Sequence, residues 1–459
     1  MFFTENISIL VIALFFALYF LLVKLNKKNS LLNSYITYAS LFIYAIWYPP
    51  AILLIIFHSL LVKYGGAELY KTKSRLLLGL LVGVSLLVLF LFKYYNFFVV
   101  DVLLMDQMGK EIILPIGISF YTFTALGYYV DIYRHKVDPM VDYNEAKLFI
   151  VFWPALASGP ILRAKNIITN FEYKEPLTSS NLALSLVLVA SGLIKKLLIA
   201  DNIGSYVDWN LSFGVHNMCT LEAWSTILGF GAQIYADFSG YTDMAIGFAL
   251  LLGFKLPANF NYPYQSTSLT EFWRRWHISL SLWFKDYLYI PLGGSKKGKL
   301  RAYINILIVF ILSGFWHGAG FGFLIWGFIH GIVLVLEKMF SEVYFKLHKV
   351  VRWCVTFAVV ISAWSFFRLD FQPARVLFKR LFYSPDDVSF KMTSPYYIAP
   401  LLMLLIFFII EHLTKFYKVD DEGYPTLNNK WYVILILCVM LFLSFMFSGK
   451  EQPFIYFQF

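Results

Sequence analysis

Charged side chains are scarce in this chain. Of its 459 residues, 14% are Asp, Glu, Lys or Arg, whereas soluble globular proteins carry about 25%. Hydrophobic residues make up 59% of the sequence and aromatic residues 20%. Apolar runs recur along the whole length and leave no soluble domain of useful size between them. The composition therefore excludes a soluble globular enzyme and indicates an integral membrane protein.

Cysteine is also rare, and its three residues are Cys219, Cys354 and Cys438. Their spacing matches no metal or redox motif, so we expect them to be small apolar residues without a chemical role. The net charge of +10 does not indicate nucleic-acid binding, because excess Lys and Arg in a membrane protein mark its cytoplasmic loops.

The apolar runs are close to the length of about 20 residues that crosses a bilayer core about 30 Å thick. We predict an all-α polytopic membrane protein with about 12 transmembrane helices. The predicted spans cover residues 6–23, 31–48, 50–62, 76–98, 112–130, 146–162, 182–200, 302–318, 322–338, 351–368, 396–414 and 431–448. The first lacks a small-residue cleavage site, so we interpret it as a retained helix and not as a signal peptide.

One apolar stretch, 222–253, is interrupted by Asp237 and Asp243. A single crossing there would place the basic segment 254–301 outside, so we predict a re-entrant or broken pair of helices. The two aspartates either line a tunnel or solvate a re-entrant turn. Basic clusters after the first, third and fifth spans place the N-terminus outside, and an even number of crossings then places the C-terminus outside as well.

Two segments carry candidate functional residues. The polar stretch EFWRRWHISLSLWFKDYLYIPLGG, at 271–294, contains His277, and the later stretch SGFWHGAG places His317 inside a predicted span. An ionisable side chain within a membrane helix is costly, which makes His317 a functional candidate. The alternative is a neutral histidine that joins two helices by a hydrogen bond, and spacing alone does not separate the two.

The remaining histidines are weaker candidates. His330 lies in the predicted span 322–338, and we expect it at the membrane interface. Others lie near span ends or in loops, where solvated or snorkelling side chains are expected. These are His58, His135, His216, His348 and His412.

The motifs FWRRWHISLSLWFKDYLYIPLGG and SGFWHGAGFGFLIWGFIHG, in this order, resemble the signature of the membrane-bound O-acyltransferase family. The likeness is to the bacterial branch that acetylates alginate or peptidoglycan and D-alanylates teichoic acids. It implies a ring of tilted helices around a central funnel, with the acyl donor entering from the cytoplasm and the acceptor from outside. Residues 1–430 would form the catalytic domain, and residues 431–459 a final helix and tail.

The resemblance implies that His317 is the catalytic histidine. His277 matches a second polar position, which in lipid-modifying relatives is often Asn. Acyl transfer to a hydroxyl needs a base that works near neutral pH, and histidine suits this role. We expect His317 to take the proton of the acceptor hydroxyl, while His277 or a backbone N–H near Gly318 stabilises the oxyanion. A thioester donor is already activated, so no metal is expected.

The expected donor is cytoplasmic acetyl-coenzyme A. Arg274, Arg275 and Lys285 are candidates for binding its phosphates. The alternative for all the basic residues in this region is ordinary positive-inside topology. We favour that alternative for the cluster at 296–301.

The tail after the last predicted span reads PFIYFQF. Phe454, Tyr456 and Phe459 have the F-x-Y-x-x-F spacing of a small membrane protein that accompanies the D-alanylating relatives. This resemblance implies that Tyr456 carries the acyl group transiently on the outer side. The alternative is an aromatic anchor at the membrane interface.

Together these features predict an O-acetyltransferase of the bacterial inner membrane that moves acetyl groups to an extracytoplasmic polysaccharide. We prefer peptidoglycan over alginate or another exopolysaccharide, because the Lys-rich composition suggests an AT-rich genome. Expected partners are membrane lipid, the polysaccharide and a periplasmic acetyltransferase of the SGNH, serine-esterase-like type, with no nucleic acid. The alternatives from other classes are a transporter and a non-catalytic scaffold for a periplasmic enzyme.

Overall fold

In the computed structural model the described chain is mostly helical. The structure describes residues 6–25, 28–172, 174, 176–383, 405, 408–409, 411, 415–428, 430–449 and 452–455. The α-helices are α1 (Asn6–Lys24), α2 (Asn29–Trp47), α3 (Ile52–Leu60), α4 (Gly66–Thr72), α5 (Arg75–Leu89), α6 (Ile118–Tyr133), α7 (Tyr143–Val151), α8 (Trp153–Leu156), α9 (Ala164–Glu172), α10 (Ser179–Leu193), α11 (Asp201–Ser212), α12 (Thr220–Leu251), α13 (Leu269–Arg275), α14 (Ile278–Phe284), α15 (Lys299–His317), α16 (Phe321–Met339), α17 (Ser341–Tyr344), α18 (Lys349–Ala363), α19 (Ser365–Arg368), α20 (Phe371–Arg380) and α21 (Trp431–Met446).

Several helices are extended by π-helical turns, in which the backbone hydrogen bond spans one residue more than in an α-helix. These turns are Leu61–Gly65, Phe90–Tyr94, Phe97–Val102, Ile194–Ala200 and Lys285–Tyr289. Short 3-10 turns occur at Pro49–Ala51, Asp106–Met108, Val215–Asn217 and Pro263–Gln265. Strands β1 (Tyr417–Val419) and β2 (Pro425–Leu427) form an antiparallel hairpin, in which Lys418 pairs with Thr426.

The first compact unit comprises residues 1–189 and 244–257. Its centre is α6, which packs against α4, α5 and α7 and has almost every side chain buried. In contrast, α5 leaves one apolar face exposed, with Leu76 74% and Leu80 55% accessible. An exposed aliphatic face on an apolar helix is typical of contact with lipid.

The second unit comprises residues 190–243 and 258–459. It is built around the hairpin of α15 and α16, and α16 also packs against α13, α18 and α19. Two glycines allow α15 and α16 to meet backbone to backbone. A Cβ on Gly314 would stand 2.1 Å from the carbonyl oxygen of Phe323, and one on Gly327 would stand 2.2 Å from that of Phe310.

Within the described residues, six helical segments are long and apolar enough to cross a membrane. They are Pro49–Thr72, Arg75–Tyr94, Ser179–Ser212, Lys299–His317, Phe321–Met339 and Lys349–Arg368. All six overlap predicted spans, and the all-α membrane fold is confirmed. Two further predicted spans correspond to the shorter apolar helices Leu10–Lys24 and Trp431–Met446. The predicted span 396–414 lies mostly outside the described residues.

The prediction of a continuous helix over 146–162 is wrong. Helix α7 ends at Val151 and the next helix, α8, starts at Trp153 with Pro154 in its first turn. Phe152 between them has a ψ of 97°, outside the helical range. Pro154 has no N–H to donate to the carbonyl of Ile150 four residues earlier, and its ring would clash with that carbonyl in a continuous helix, which explains the interruption before it.

The prediction of a re-entrant or broken pair at 222–253 is also wrong, because α12 is one continuous helix of 32 residues. At 1.5 Å per residue its length is about 48 Å, more than a bilayer core requires. The prediction of an even number of crossings counted this segment as a pair of helices. A single helix removes that basis, and with it the derivation of an outward C-terminus.

The prediction of solvated histidines fails for His58, whose ring is fully buried. Its Nδ1 lies 2.9 Å from the carbonyl oxygen of Leu54, and its ring packs edge-on against Tyr121. Three other histidines are exposed, as predicted: His135, His216 and His348. His412 lies outside the described residues.

The backbone contact of α15 and α16 predicts a strong position dependence of Gly→Ala substitutions. Gly327→Ala should lower the free energy of unfolding by about 1–3 kcal/mol, because its methyl group overlaps a carbonyl oxygen that cannot move freely. Gly79→Ala on α5 is the matched control, since a Cβ there meets no atom within 4 Å. Thermal unfolding in detergent measures both, and equal melting temperatures for the two variants would contradict the packing described.

Candidate active site

His317 is the last residue of α15, and the packing of the helical hairpin fixes its position. The following Gly318 has an extended backbone, so α15 stops there, and α16 starts at Phe321. The His317 side chain is only 4% accessible. Its ring lies 5.2 Å from those of Trp326 and Phe367, measured between centroids. The candidate base therefore lies inside a wall of aromatic rings that excludes bulk water.

His277 lies at a sharp bend between two short helices. It caps the N-terminus of α14 with a φ of 42° and a ψ of 55°. This is the left-handed region of backbone conformation, which residues other than Gly rarely adopt. The preceding helix α13 is anchored by Glu337 on α16, whose carboxylate accepts the N–H groups of Leu269 and Thr270. Strained backbone of this kind is concentrated at functional sites.

Asn259 fixes the orientation of the bend. Its Oδ1 accepts the backbone N–H and the hydroxyl of Ser279 at 3.1 and 2.8 Å, and it lies 3.3 Å from Nδ1 of His277. An atom that accepts from two donors is the amide oxygen, so Nδ1 of His277 is the protonated nitrogen and Nε2 the acceptor. Burial lowers the pKa of His277, which lies outside the six candidate spans, and keeps the ring neutral.

The two histidines are neighbours, with ring centroids 6.2 Å apart. The expected interfacial position of His330 is wrong, because His330 lies at the middle of the candidate span α16 and its side chain is fully buried in the same cluster. Its ring lies 4.8 Å from that of Trp326 and 5.0 Å from that of Trp273. Trp326 therefore packs against both His317 and His330.

A cavity of about 370 Å³ lies beside this cluster. It is bordered by α13 to α16 and combines apolar walls with three cationic side chains, Arg274, Lys285 and Lys338. Its lining residues are Thr270, Trp273, Arg274, Ile278, Leu280, Ser281, Leu282, Phe284, Lys285, Tyr289, Ile306, Val309, Phe310, Ser313, Leu334 and Lys338. The lining residues of α15 share one face of the helix and end at Ser313. His317, four residues later, lies on the same face. A long anionic ligand in the cavity would thus extend towards His317.

Two buried histidines beside a cavity are suited to acyl transfer, and comparison with known proteins agrees with acyl transfer. The sequence model of the membrane-bound O-acyltransferase family matches residues 134–371, more than half of the chain. The chain belongs to this family. It is a multi-pass membrane protein and an O-acyltransferase.

The names of several relatives of this acyltransferase refer to cell-envelope polymers. The peptidoglycan O-acetyltransferase of Helicobacter pylori is 32% identical over 96% of this chain and 94% of its own length. A probable alginate O-acetylase of Pseudomonas putida is 34% identical over 87% of both chains. The teichoic acid D-alanyltransferase of Bacillus subtilis is 29% identical over 54% of this chain and 65% of its own.

The structure of the acyltransferase separates the three basic residues predicted to bind the donor. Arg274 and Lys285 line the cavity of about 370 Å³. Arg275 does not; its guanidinium lies 2.7 Å from a carboxylate oxygen of Glu271, four residues earlier, and also donates to the carbonyl of Asn261. Arg275 lines a different cavity, of about 610 Å³.

Lys338 and Asn259 are site residues that the sequence analysis missed. Lys338 appeared only as the end of a predicted span. Its position at the basic cavity follows from the fold of α16 against α13. Asn259 lies outside both motifs and is placed at His277 by the loop that follows α12.

The two aspartates of α12 are neither solvated nor exposed to a tunnel of water. Asp237 and Asp243 are 2% and 1% accessible. Asp243 pairs with Lys195 at 2.8 Å, and Asp237 pairs with Lys196 at 3.0 Å. Buried ion pairs explain how one continuous helix carries two carboxylates, so the expected solvated re-entrant turn is wrong.

Tyr456 and Phe459 lie outside the described residues, but the segment before them is described. Phe454 is 3% accessible and packs against the ring of Tyr241 at 5.0 Å. It also lies 6.4 Å from Phe238, whose ring is 4.7 Å from that of His277. The chain leading to Tyr456 thus packs against a side chain that contacts the candidate site.

Proposed function

We propose that this protein is the membrane subunit of a peptidoglycan O-acetylation system. The observation that carries the proposal is the 32% identity to the Helicobacter pylori peptidoglycan O-acetyltransferase over nearly the full length of both chains. The second candidate acceptor is alginate or another exopolysaccharide, which the identity of 34% to a probable alginate O-acetylase supports over a shorter share of the chain.

His317 acts in this proposal as the general base. Three features support the role: its burial, its aromatic surroundings and its position on the helical face that lines the basic cavity. A neutral imidazole there takes the proton of an attacking hydroxyl as the oxygen bonds to the acetyl carbon. When the thioester C–S bond breaks, the same proton passes to the departing thiolate.

His277 is better suited to orient the hydroxyl than to stabilise the oxyanion. With Nδ1 directed to Asn259, its Nε2 accepts a hydrogen bond, and an acceptor does not stabilise negative charge. We therefore assign the oxyanion to a backbone N–H near Gly318, the other candidate. The N–H of Gly318 makes only a long contact of 3.4 Å with the carbonyl of Gly314, which supports this choice.

Acetyl-coenzyme A is the proposed donor. The cavity offers apolar walls for its chain and three cations for its phosphates, namely Arg274, Lys285 and Lys338. Basic residues concentrate on cytoplasmic faces, so the donor enters from the cytoplasm. We place the protein in the bacterial inner membrane. The basic clusters after the first, third and fifth predicted spans place the N-terminus outside, and the carrier role proposed for Tyr456 places the C-terminus outside as well. There a periplasmic serine-esterase-like acetyltransferase receives the acetyl group and passes it to the polysaccharide.

Tyr456 is the proposed acyl carrier between the catalytic site and that partner. Residues 1–430 then form the catalytic domain, while α21 and the tail, at 431–459, form the delivery element. The match to the family, at residues 134–371, lies wholly within the first of these two parts. A phenol has a pKa near 10 and needs a base such as His317 to become a nucleophile.

Loss of the general base predicts a large fall in turnover. His317→Ala should lower the rate of acetyl transfer roughly 10²-fold or more, while His330→Ala, which removes a histidine outside the proposed chemistry, should lower it far less. Transfer is measured with labelled acetyl-coenzyme A in membranes with equal protein content. Full acetylation by His317→Ala would favour the transporter or scaffold interpretation instead.

Donor binding should depend on the cations of the cavity. Arg274→Gln and Lys338→Gln should each raise the KM for acetyl-coenzyme A about tenfold, the effect of losing one hydrogen bond to a charged group. Arg275→Gln is the matched control and should leave KM unchanged, because Arg275 is bound to Glu271.

The same assay tests the side of entry. Added salt should raise KM for the parent, since salt screens charge attraction. In vesicles of defined orientation, label supplied at the cytoplasmic face should be used. Use of label from the outer face alone would contradict the proposal.

Tyr456→Phe distinguishes carrier from anchor, because it removes only the hydroxyl and keeps the aromatic ring. We expect transfer to the polymer to stop while the protein still assembles in the membrane. An acetylated tyrosine detected by mass spectrometry in the parent should be absent in the variant. Transfer at the parental rate would show that the tail only anchors or docks.

A further inference from the structure

Two consecutive lysines, Lys195 and Lys196, are buried in the π-helical turn Ile194–Ala200. Lys195 is held by Asp243 at 2.8 Å and by Glu411 at 3.8 Å. Lys196 has a different set of partners. Because consecutive positions on a helix point in different directions, the two ammonium groups lie in separate clusters.

The ammonium of Lys196 has three acceptors. They are Asp201 at 2.8 Å, Asp237 at 3.0 Å and the backbone carbonyl of Gln452 at 2.8 Å. An ammonium has three N–H donors, so the C-terminal segment supplies the third acceptor that the buried charge requires. A buried charge that lacks a partner is costly, which couples the position of this segment to the ion pairs.

Asp237 binds the same segment at Ile455, three residues after Gln452. Its Oδ2 accepts the backbone N–H of Ile455 at 2.6 Å, while its Oδ1 faces Lys196. The side chain of Gln452 also donates to the hydroxyl of Ser205 at 3.2 Å. Lys196 and Asp237 contact the two ends of the short segment through backbone groups, the Gln452 carbonyl and the Ile455 N–H, so these two contacts do not depend on the identity of its side chains.

The segment is fixed close to the catalytic histidines. Phe454 packs against Tyr241, and Phe238 lies between Phe454 and His277. The next residue in the chain after Ile455 is Tyr456. A displacement of this segment would therefore move the proposed acyl carrier relative to His277 and His317.

We propose that Lys196, Asp201 and Asp237 form an internal docking site for residues 452–455 and act as positioning residues for acyl transfer through Tyr456. The inference rests on the proposed carrier role of Tyr456. Docking itself is independent of that role, so the two are tested by separate measurements.

A disulfide measures docking without reference to activity. A Cβ on Gly204 would lie 3.3 Å from Cγ of Gln452, close to the separation of Cβ and the far sulfur in a disulfide. The pair Gly204→Cys and Gln452→Cys is introduced after Ser replaces the three native cysteines. The new side chain at 204 displaces only the flexible end of Gln233. Rapid oxidation to the crosslinked form is expected.

Lys196→Met should slow this crosslinking about tenfold or more, as expected for loss of one charge-assisted hydrogen bond. Lys195→Met is the matched control, because it removes an equally buried lysine whose partners are Asp243 and Glu411. It should leave the crosslinking rate unchanged. Equal rates for Lys196→Met and the parent would overturn the docking site.

A substitution in the docked segment itself tests the docking site even where Lys196→Met does not fold. Ile455→Pro removes the N–H that Asp237 accepts and leaves every buried charge in place. It should slow crosslinking to a similar extent. Crosslinking at the parental rate in this variant would also overturn the proposal.

Positioning, as opposed to mere stabilisation, is tested by rescue. Ile455→Pro should lower kcat for transfer to the acceptor at least tenfold and leave the KM for acetyl-coenzyme A unchanged. The oxidised 204–452 disulfide should restore transfer in Ile455→Pro by holding the segment in place. Failure of the closed disulfide to restore transfer would overturn positioning, whereas parental activity of Tyr456→Phe would overturn only the carrier role.

Discussion

An ion taken out of water must find opposite charge or hydrogen bonds, and much of the second unit is arranged around that requirement. Lys195 and Lys196 are both buried, and each is paired with carboxylates from other parts of the chain. Asp237 and Asp243 on α12 provide two of them. The hydroxyl of Tyr417 on β1 also donates to Asp243 at 2.8 Å, which ties the strand hairpin to the same helix.

This requirement also explains which features were predictable from sequence. Long apolar helices such as α5, α15 and α16 follow from hydropathy, because lipid and protein interior both favour apolar side chains. Asp237 and Asp243 suggested an interrupted helix because carboxylates in an apolar stretch are costly unless neutralised. The lysines that neutralise them lie more than 40 residues earlier, and hydropathy along the chain contains no information about that pairing.

The candidate site also contains both residues that could be predicted from the sequence and residues that could not. His317 and His277 were predicted because their motifs carry a family resemblance, and both lie in the buried cluster. Arg274 and Arg275 are adjacent in sequence but face different cavities, since consecutive helix positions differ by about 100°. The spacing of Glu271 and Arg275, four residues apart, was the available signal for an ion pair. Lys338 depends on tertiary packing and had no such signal.

The contact between Lys196 and Gln452 joins residues 256 positions apart. At a synthesis rate of about 5–20 residues per second, the second partner leaves the ribosome roughly 13–50 seconds after the first. Asp201 is available to Lys196 almost at once and Asp237 soon afterwards, but the carbonyl of Gln452 comes much later. Helices that insert during synthesis do so before Gln452 is made, so the Lys196 ammonium lacks one of its native acceptors at that stage. The final contact of this cluster therefore marks a late step in biogenesis.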